Sequence, residues 1–105
     1  MSEEHHNSLR GEVWVLRLYL SSYNAAAIGL IQRLRAVCDQ HLGPRYTLEV
    51  IDMAANPDLG AADRILALPT LVRKLPVPIR KIIGDFSNAE HLRMALNLPA
   101  EPIAA

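Results

Sequence analysis

Cysteine is nearly missing from this chain: Cys38 is the only one in 105 residues. A lone thiol excludes an internal disulfide and any thiolate metal cluster built by one chain, and it fits a reducing compartment, most simply the cytoplasm. Aromatics are scarce too, with one Trp, one Phe and three Tyr. Recognition of RNA wants several aromatics interleaved with basic residues on one sheet, so nucleic acid is a poor fit. Eleven basic side chains balance eleven acidic ones, so no overall field draws the chain to nucleic acid or to an anionic membrane. No segment approaches the roughly 20 apolar residues that a spanning helix needs. His5, His6, His41 and His91 form no H-E-x-x-H or similar ligand spacing, and no G-x-x-x-x-G-K-[ST] phosphate cradle is present. Metal, cofactor and nucleotide chemistry are therefore not expected.

What remains is one domain. A chain of this length buries about two thirds of its unfolded surface, and half of its residues are apolar. Residues 1–10 carry no apolar block, so they read as a disordered tail rather than a signal peptide, and 99–105 read as a second disordered tail. The folded domain is expected over 11–98.

Val13 to Leu20 is β-branched, aromatic and leucine-rich, with Arg17 its only charge, as a central strand requires. Ser21, Ser22 and Asn24 offer helix caps, and Ala27, Ile28, Ile31, Leu34, Cys38 and Leu42 recur at helical spacing until Gly43-Pro44. Tyr46 to Asp52 is a second strand, parallel to the first because a long helix separates them. Asn56-Pro57 predicts a short helix from Pro57 to about Ile65 or Leu66. Leu68 to Arg73 and Ile79 to Ile83 read as antiparallel strands joined by Lys74 to Pro78. Ser87 and Glu90 form a capping box for a last helix that Pro99 ends. The order βαβ-αββα, with Pro69 entering the third strand, is that of a thioredoxin-like α/β domain.

A thioredoxin-like redox enzyme needs a low-pKa thiolate at the mouth of its first helix. Ser21-Ser22-Tyr23-Asn24 stands there instead, and Cys38 lies about four turns further along the apolar stripe. Disulfide exchange is excluded. A serine in that mouth could activate glutathione, but such transferases carry a second helical domain. A thiol-independent enzyme or a stress-response role is the alternative function. The cations Arg64, Arg73, Lys74, Arg80 and Lys81 gather in one third of the sequence. They are either solvated strand ends, or the frame of an exposed sheet edge that complements an acidic partner.

Trp14-Val15-Leu16-Arg17-Leu18-Tyr19, Val50-Ile51-Asp52, Asn56-Pro57, Ile65 to Leu71, and Arg80 to Ser87 resemble, in order and spacing, the KaiB family of circadian clock proteins. The resemblance spans Val13 to Leu98. It implies a protein that is not an enzyme, docks on the hexameric ATPase KaiC, helps sequester KaiA, and competes with a histidine kinase whose sensor domain is thioredoxin-like. It also implies two folds, a tetrameric ground state with a rearranged C-terminal half and a monomeric thioredoxin-like state. Arg64, Arg73 and Arg80 match basic contact positions of the family. Pro69, Gly84, Asp85, Ala95 and Asn97 are the candidate fold-determining residues.

This chain departs from the family pattern in lacking the acidic C-terminal tail, in Leu68 where Thr is usual, and in Gly29 and Glu49 at commonly basic positions. It also has Ala95 for glycine and Asn97 for aspartate. Alanine inside a helix is favoured over glycine by about 0.5–1 kcal/mol. Losing a negative charge at a helix C-terminus adds a few tenths, up to about 1 kcal/mol. Both changes favour the state in which this segment is helical, so the expectation is a monomer in the thioredoxin-like fold, with the tetramer as alternative.

Overall fold

The computed structural model describes residues 12–84 and 86–100. Asp85 and the 1–10 tail lie outside the described residues, as does the 99–105 tail apart from Pro99 and Ala100. Strand β1 (Trp14–Leu20) leads through helix α1 (Ala25–Leu42) to β2 (Tyr46–Asp52), and a single 3-10 turn (Pro57–Gly60) precedes β3 (Thr70–Leu75), β4 (Arg80–Ile83) and helix α2 (Ala89–Leu96). The sheet order is β2-β1-β3-β4. β1 and β2 are parallel, and the β1–β3 and β3–β4 pairs are antiparallel.

Strand alternation sorts the sheet into two faces. Leu16, Leu18, Leu20 and Leu71 pack with Ala27, Ile31, Leu34, Val37, Cys38 and Leu42 of α1 and with Leu92 and Leu96 of α2. Both helices therefore cover the same face. On the other face Tyr19, Ile51 and Val72 form a smaller cluster, capped by Met53 and Ile65 from the segment between β2 and β3. That segment replaces a helix as the cover.

Three local expectations are corrected here. The helix from Pro57 to Ile65 or Leu66 is one 3-10 turn followed by hydrogen-bonded turns, because Asp63 is drawn onto the sheet and Arg64 takes a positive φ of 54°. A Cβ at Gly60 would lie 2.6 Å from Met53 Cε, the flexible end of a side chain that would have to shift. The third strand starts at Thr70 rather than Leu68, after a cis Leu68–Pro69 bond, and it runs on to Leu75. The cap of α2 is Asn88, whose side chain accepts from the His91 N–H at 2.9 Å, rather than Ser87. Glu90 pairs with Arg93 instead of closing a box. At α1 the cap is Asn24, accepting from the Ala27 N–H at 2.9 Å.

Candidate docking surface

On the helix-free face a carboxylate organises the neighbourhood of β1 and β3. Asp63 is buried, and its Oδ2 accepts from the Tyr19 hydroxyl at 2.6 Å and from Arg17 Nη1 at 3.3 Å, while Oδ1 accepts from Lys74 Nζ. Arg17 also donates from Nε to Glu49 Oε1 at 2.8 Å across the β1–β2 pair. Burial pushes the Asp63 pKa up, but the Lys74 ammonium, the Tyr19 hydroxyl and Arg17 outweigh it, and the result lies below the ordinary carboxylate value. Tyr19, fully buried, is raised by burial and then by the Asp63 acceptor. These contacts tie the β2–β3 segment down at a point where no helix holds it.

Sequence reasoning passed over Asp63 and read Arg17 only as a lone charge in a strand. A signal was available. Arg17 and Tyr19 are two residues apart in a strand, hence on one face, and a cation beside a buried phenol calls for an acidic partner.

The five cations do not form one patch. Arg73 was expected on the surface and is instead 2 % exposed. It shares the helix-covered face with Leu71, donates from Nη1 to the Leu96 carbonyl at 2.6 Å and from Nη2 to the Pro78 carbonyl at 2.7 Å, and lies 5.4 Å from the Trp14 ring centroid. It is a guanidinium cap on the C-terminus of α2, where the helix dipole favours positive charge. Burial lowers its pKa, and Arg80, its partner across the β3–β4 ladder, lowers it further. Lys74 points to the opposite face and is held by Asp63.

Arg64, Arg80 and Lys81 are exposed. Lys81 Nζ lies 3.5 Å from the Arg64 carbonyl, which brings these two together on the helix-free side. β4 is an outer strand, so one row of its backbone groups is open to a partner. In and just before β4 apolar side chains are exposed, Val77 at 71 % and Ile79 and Ile83 above half, and Leu66, two residues beyond Arg64, is exposed at 93 %. Gly84, at φ 105°, carries the chain off β4 and donates its N–H to the Pro69 carbonyl at 3.2 Å.

The helix mouth that would hold a redox thiol is a hollow of about 170 Å³ lined by Leu20, Ser21, Ser22, Asn24, Ala26, Ala27, Leu30 and Pro69. Cys38 is elsewhere, fully buried among the α1 core residues, and burial pushes its thiol up to about 12. Among the described residues no group of three metal-ligating side chains occurs, and no helix is long and apolar enough to cross a membrane.

At the end of α2 the two departures from the family pattern acquire a geometry. Ala95 is within the helix and Asn97 takes the left-handed conformation at φ 60°, ψ 43°. Asn97 N–H bonds to the Met94 carbonyl at 3.1 Å and Leu98 N–H to the Arg93 carbonyl at 2.9 Å, with Leu98 buried. This is a Schellman motif, and Asn is among the few residues other than Gly that occupy its left-handed position readily.

The profile of the KaiB domain matches residues 17–98. The chain is 39 % identical to the circadian clock oscillator protein KaiB of Gloeothece citriformis over 87 residues, 83 % of this chain and 82 % of the relative. It is also 39 % identical to KaiB1 of a Synechocystis strain over 83 % of both chains. Among solved structures the N-terminal domain of Synechococcus elongatus SasA superposes with a TM-score of 0.65 at 22 % identity, covering 82 % of this chain and 85 % of that one. Chloroplastic thioredoxin z superposes with a TM-score of 0.62 at 22 % identity over 90 % of this chain and 86 % of that one. Such likenesses show the thioredoxin-like fold. The sequence relatives carry the name of a clock component rather than of a reaction, and a single cysteine leaves this chain no dithiol centre. By its sequence and the profile that spans most of its length, the chain belongs to the KaiB family.

Proposed function

We propose that this protein is a non-enzymatic clock component that docks on a KaiC-like hexameric ATPase and modulates its phosphorylation cycle and output signalling. The observation that carries the reading is 39 % identity to named clock oscillator proteins over more than four fifths of the chain. The docking surface is the β4 edge with the exposed cations Arg64, Arg80 and Lys81 and the apolar side chains Leu66 and Ile83 beside them. Arg73 acts from inside the fold, and Lys74 acts chiefly through Asp63. A partner of complementary acidic charge is selected by the rim, while the apolar side chains supply buried area. KaiA and a thioredoxin-like sensor kinase are the further partners, the kinase as a competitor for the same surface. The free protein is a cytoplasmic monomer in the thioredoxin-like state.

The test mixes the chain with the purified hexameric ATPase in its ATP- and ADP-bound forms and follows complex formation by native mass spectrometry. A complex is expected, weakened at least about tenfold by the double substitution Arg64→Ala and Lys81→Ala, as the loss of paired charges at an interface requires. Absence of a complex in every nucleotide state would overturn the reading.

A further inference from the structure

Two arginines face each other across the β3–β4 ladder, Arg73 opposite Arg80. Like charges directly opposite are destabilising in a sheet, and the lowered Arg73 pKa reflects burial first and then this neighbour. A third guanidinium, Arg93 of α2, lines the same open cleft of about 520 Å³, between the β3–β4 turn and the residues that follow α2. Trp14, Pro76, Val77 and Pro78 form its apolar wall, and among the described residues no acidic side chain lines it. Among the described residues two carboxylates act on the cluster from outside the cleft. Glu90 pairs with Arg93 at 2.7 Å, and Glu12 is close enough to raise the Arg73 pKa.

The donors are not exhausted. Arg73 uses two of its five N–H groups on carbonyl oxygens, and its buried Nε has no hydrogen-bond partner among the described residues. Arg80 makes no ion pair among the described residues. Arg93 gives its Nε–H and one Nη2 hydrogen to Glu90 and one Nη1 hydrogen to the Leu98 carbonyl. Its two remaining N–H groups, with those of Arg80 and those left on Arg73, still exceed what the two oxygens of a carboxylate can accept. A phosphate group has more acceptor oxygens and about two negative charges, and it matches guanidinium geometry in a bidentate way. This chemistry differs from a glycine-rich cradle, which explains why motif reading finds no trace of it.

We propose that the cleft formed by Arg73, Arg80 and Arg93 is a binding site for a phosphate-type anion, a short polyphosphate chain either free or as the tail of a nucleotide. The anion bridges Arg80 and Arg93 at the rim and offsets the Arg73–Arg80 repulsion at the floor. Arg80 belongs to both this cleft and the proposed docking edge, but the anion site is built by this chain alone, so the free chain suffices to test it.

Trp14 is the sole tryptophan and lines the cleft, so its fluorescence reports occupancy. The chain is titrated with inorganic phosphate, pyrophosphate, tripolyphosphate and ATP in magnesium-free buffer at low salt. Saturable changes that tighten with phosphate chain length are expected. Arg80→Gln and Arg93→Gln should each weaken binding roughly tenfold, the loss of one charge-assisted contact. Arg33→Gln, on the exposed face of α1, should leave it unchanged. ATP equal to tripolyphosphate supports the free chain as the source, and ATP tighter than tripolyphosphate supports the nucleotide. No saturable signal at millimolar tripolyphosphate, or affinity untouched by both cleft substitutions, would overturn the proposal. Circular dichroism of each variant separates loss of binding from loss of fold.

Discussion

Truncating Arg73 to alanine removes a side chain that joins three parts of the domain. Its guanidinium bonds the last turn of α2 at Leu96 and the β3–β4 turn at Pro78, and it sits over Trp14 of β1. Hydrogen bonds to a charged group contribute about 1.5–3 kcal/mol each, and a cation over an aromatic ring about 0.5–1 kcal/mol or more. Opposing these are the cost of burying the charge and the repulsion from Arg80, both recorded in the lowered pKa. The expected net loss for Arg73→Ala is about 2–4 kcal/mol, which places it among severe substitutions. In a domain of this size that corresponds to a fall in Tm of roughly 10–25 °C. Arg73→Lys should lose about half as much, since one compact ammonium replaces a rigid fork that reaches two carbonyls. Urea unfolding, followed by both Trp14 fluorescence and far-ultraviolet circular dichroism, measures the change at constant m value. A loss below about 0.5 kcal/mol for the alanine variant, the range of ordinary surface substitutions, would refute the assignment of Arg73 as the tie between β3 and α2.

The folded pKa of Asp63 lies below its ordinary 3.8, so its stabilisation is present above that value and fades as pH falls through the folded one. The urea midpoint should therefore drop more steeply between pH 5 and pH 3 in the native chain than in Asp63→Asn, which should already be weaker at pH 7 by about 1–3 kcal/mol; parallel curves would contradict this. Ala95→Gly with Asn97→Asp should cost about 1–2 kcal/mol in the α2-bearing state, and light scattering at micromolar concentration should then show a rise in tetramer over the monomeric parent; a parent already tetrameric refutes the monomer. Cys38, with its thiol raised to about 12, should ignore a disulfide reagent at pH 8 until urea is added, and rapid reaction in the native state would show the α1 stripe to be open.

The elements with strong periodicity were legible in the sequence. The run Val13 to Leu20 became β1 less its first residue, Tyr46 to Asp52 matches β2, and the stripe ending at Leu42 matches the end of α1. These elements bury regular faces, and burial is what writes a period into a chain. The short helix after Pro57 was not legible, because Asn56-Pro57 signals a helical start without its length. Length was decided by Asp63, whose partners Tyr19 and Lys74 are more than ten residues away in either direction. Arg73 misled for a related reason. A cation in a strand reads as solvated, although alternation from the buried Leu71 already placed it on the helix-covered side. The outer cations Arg64, Arg80 and Lys81 were readable as exposed, and strand alternation alone divides Arg80 from Lys81. The approach of Lys81 to the Arg64 carbonyl was not readable, because no local pattern links residues that far apart.

Neighbouring residues of a strand project in opposite directions, so Arg80 and Lys81 sit on either side of β4 as on a saddle. A flat counterpart pressed against the sheet reaches one of them and leaves the other in water. Only a jaw that straddles the margin of the molecule touches both at once, and the four-residue length of that strand sets how wide the jaw must be.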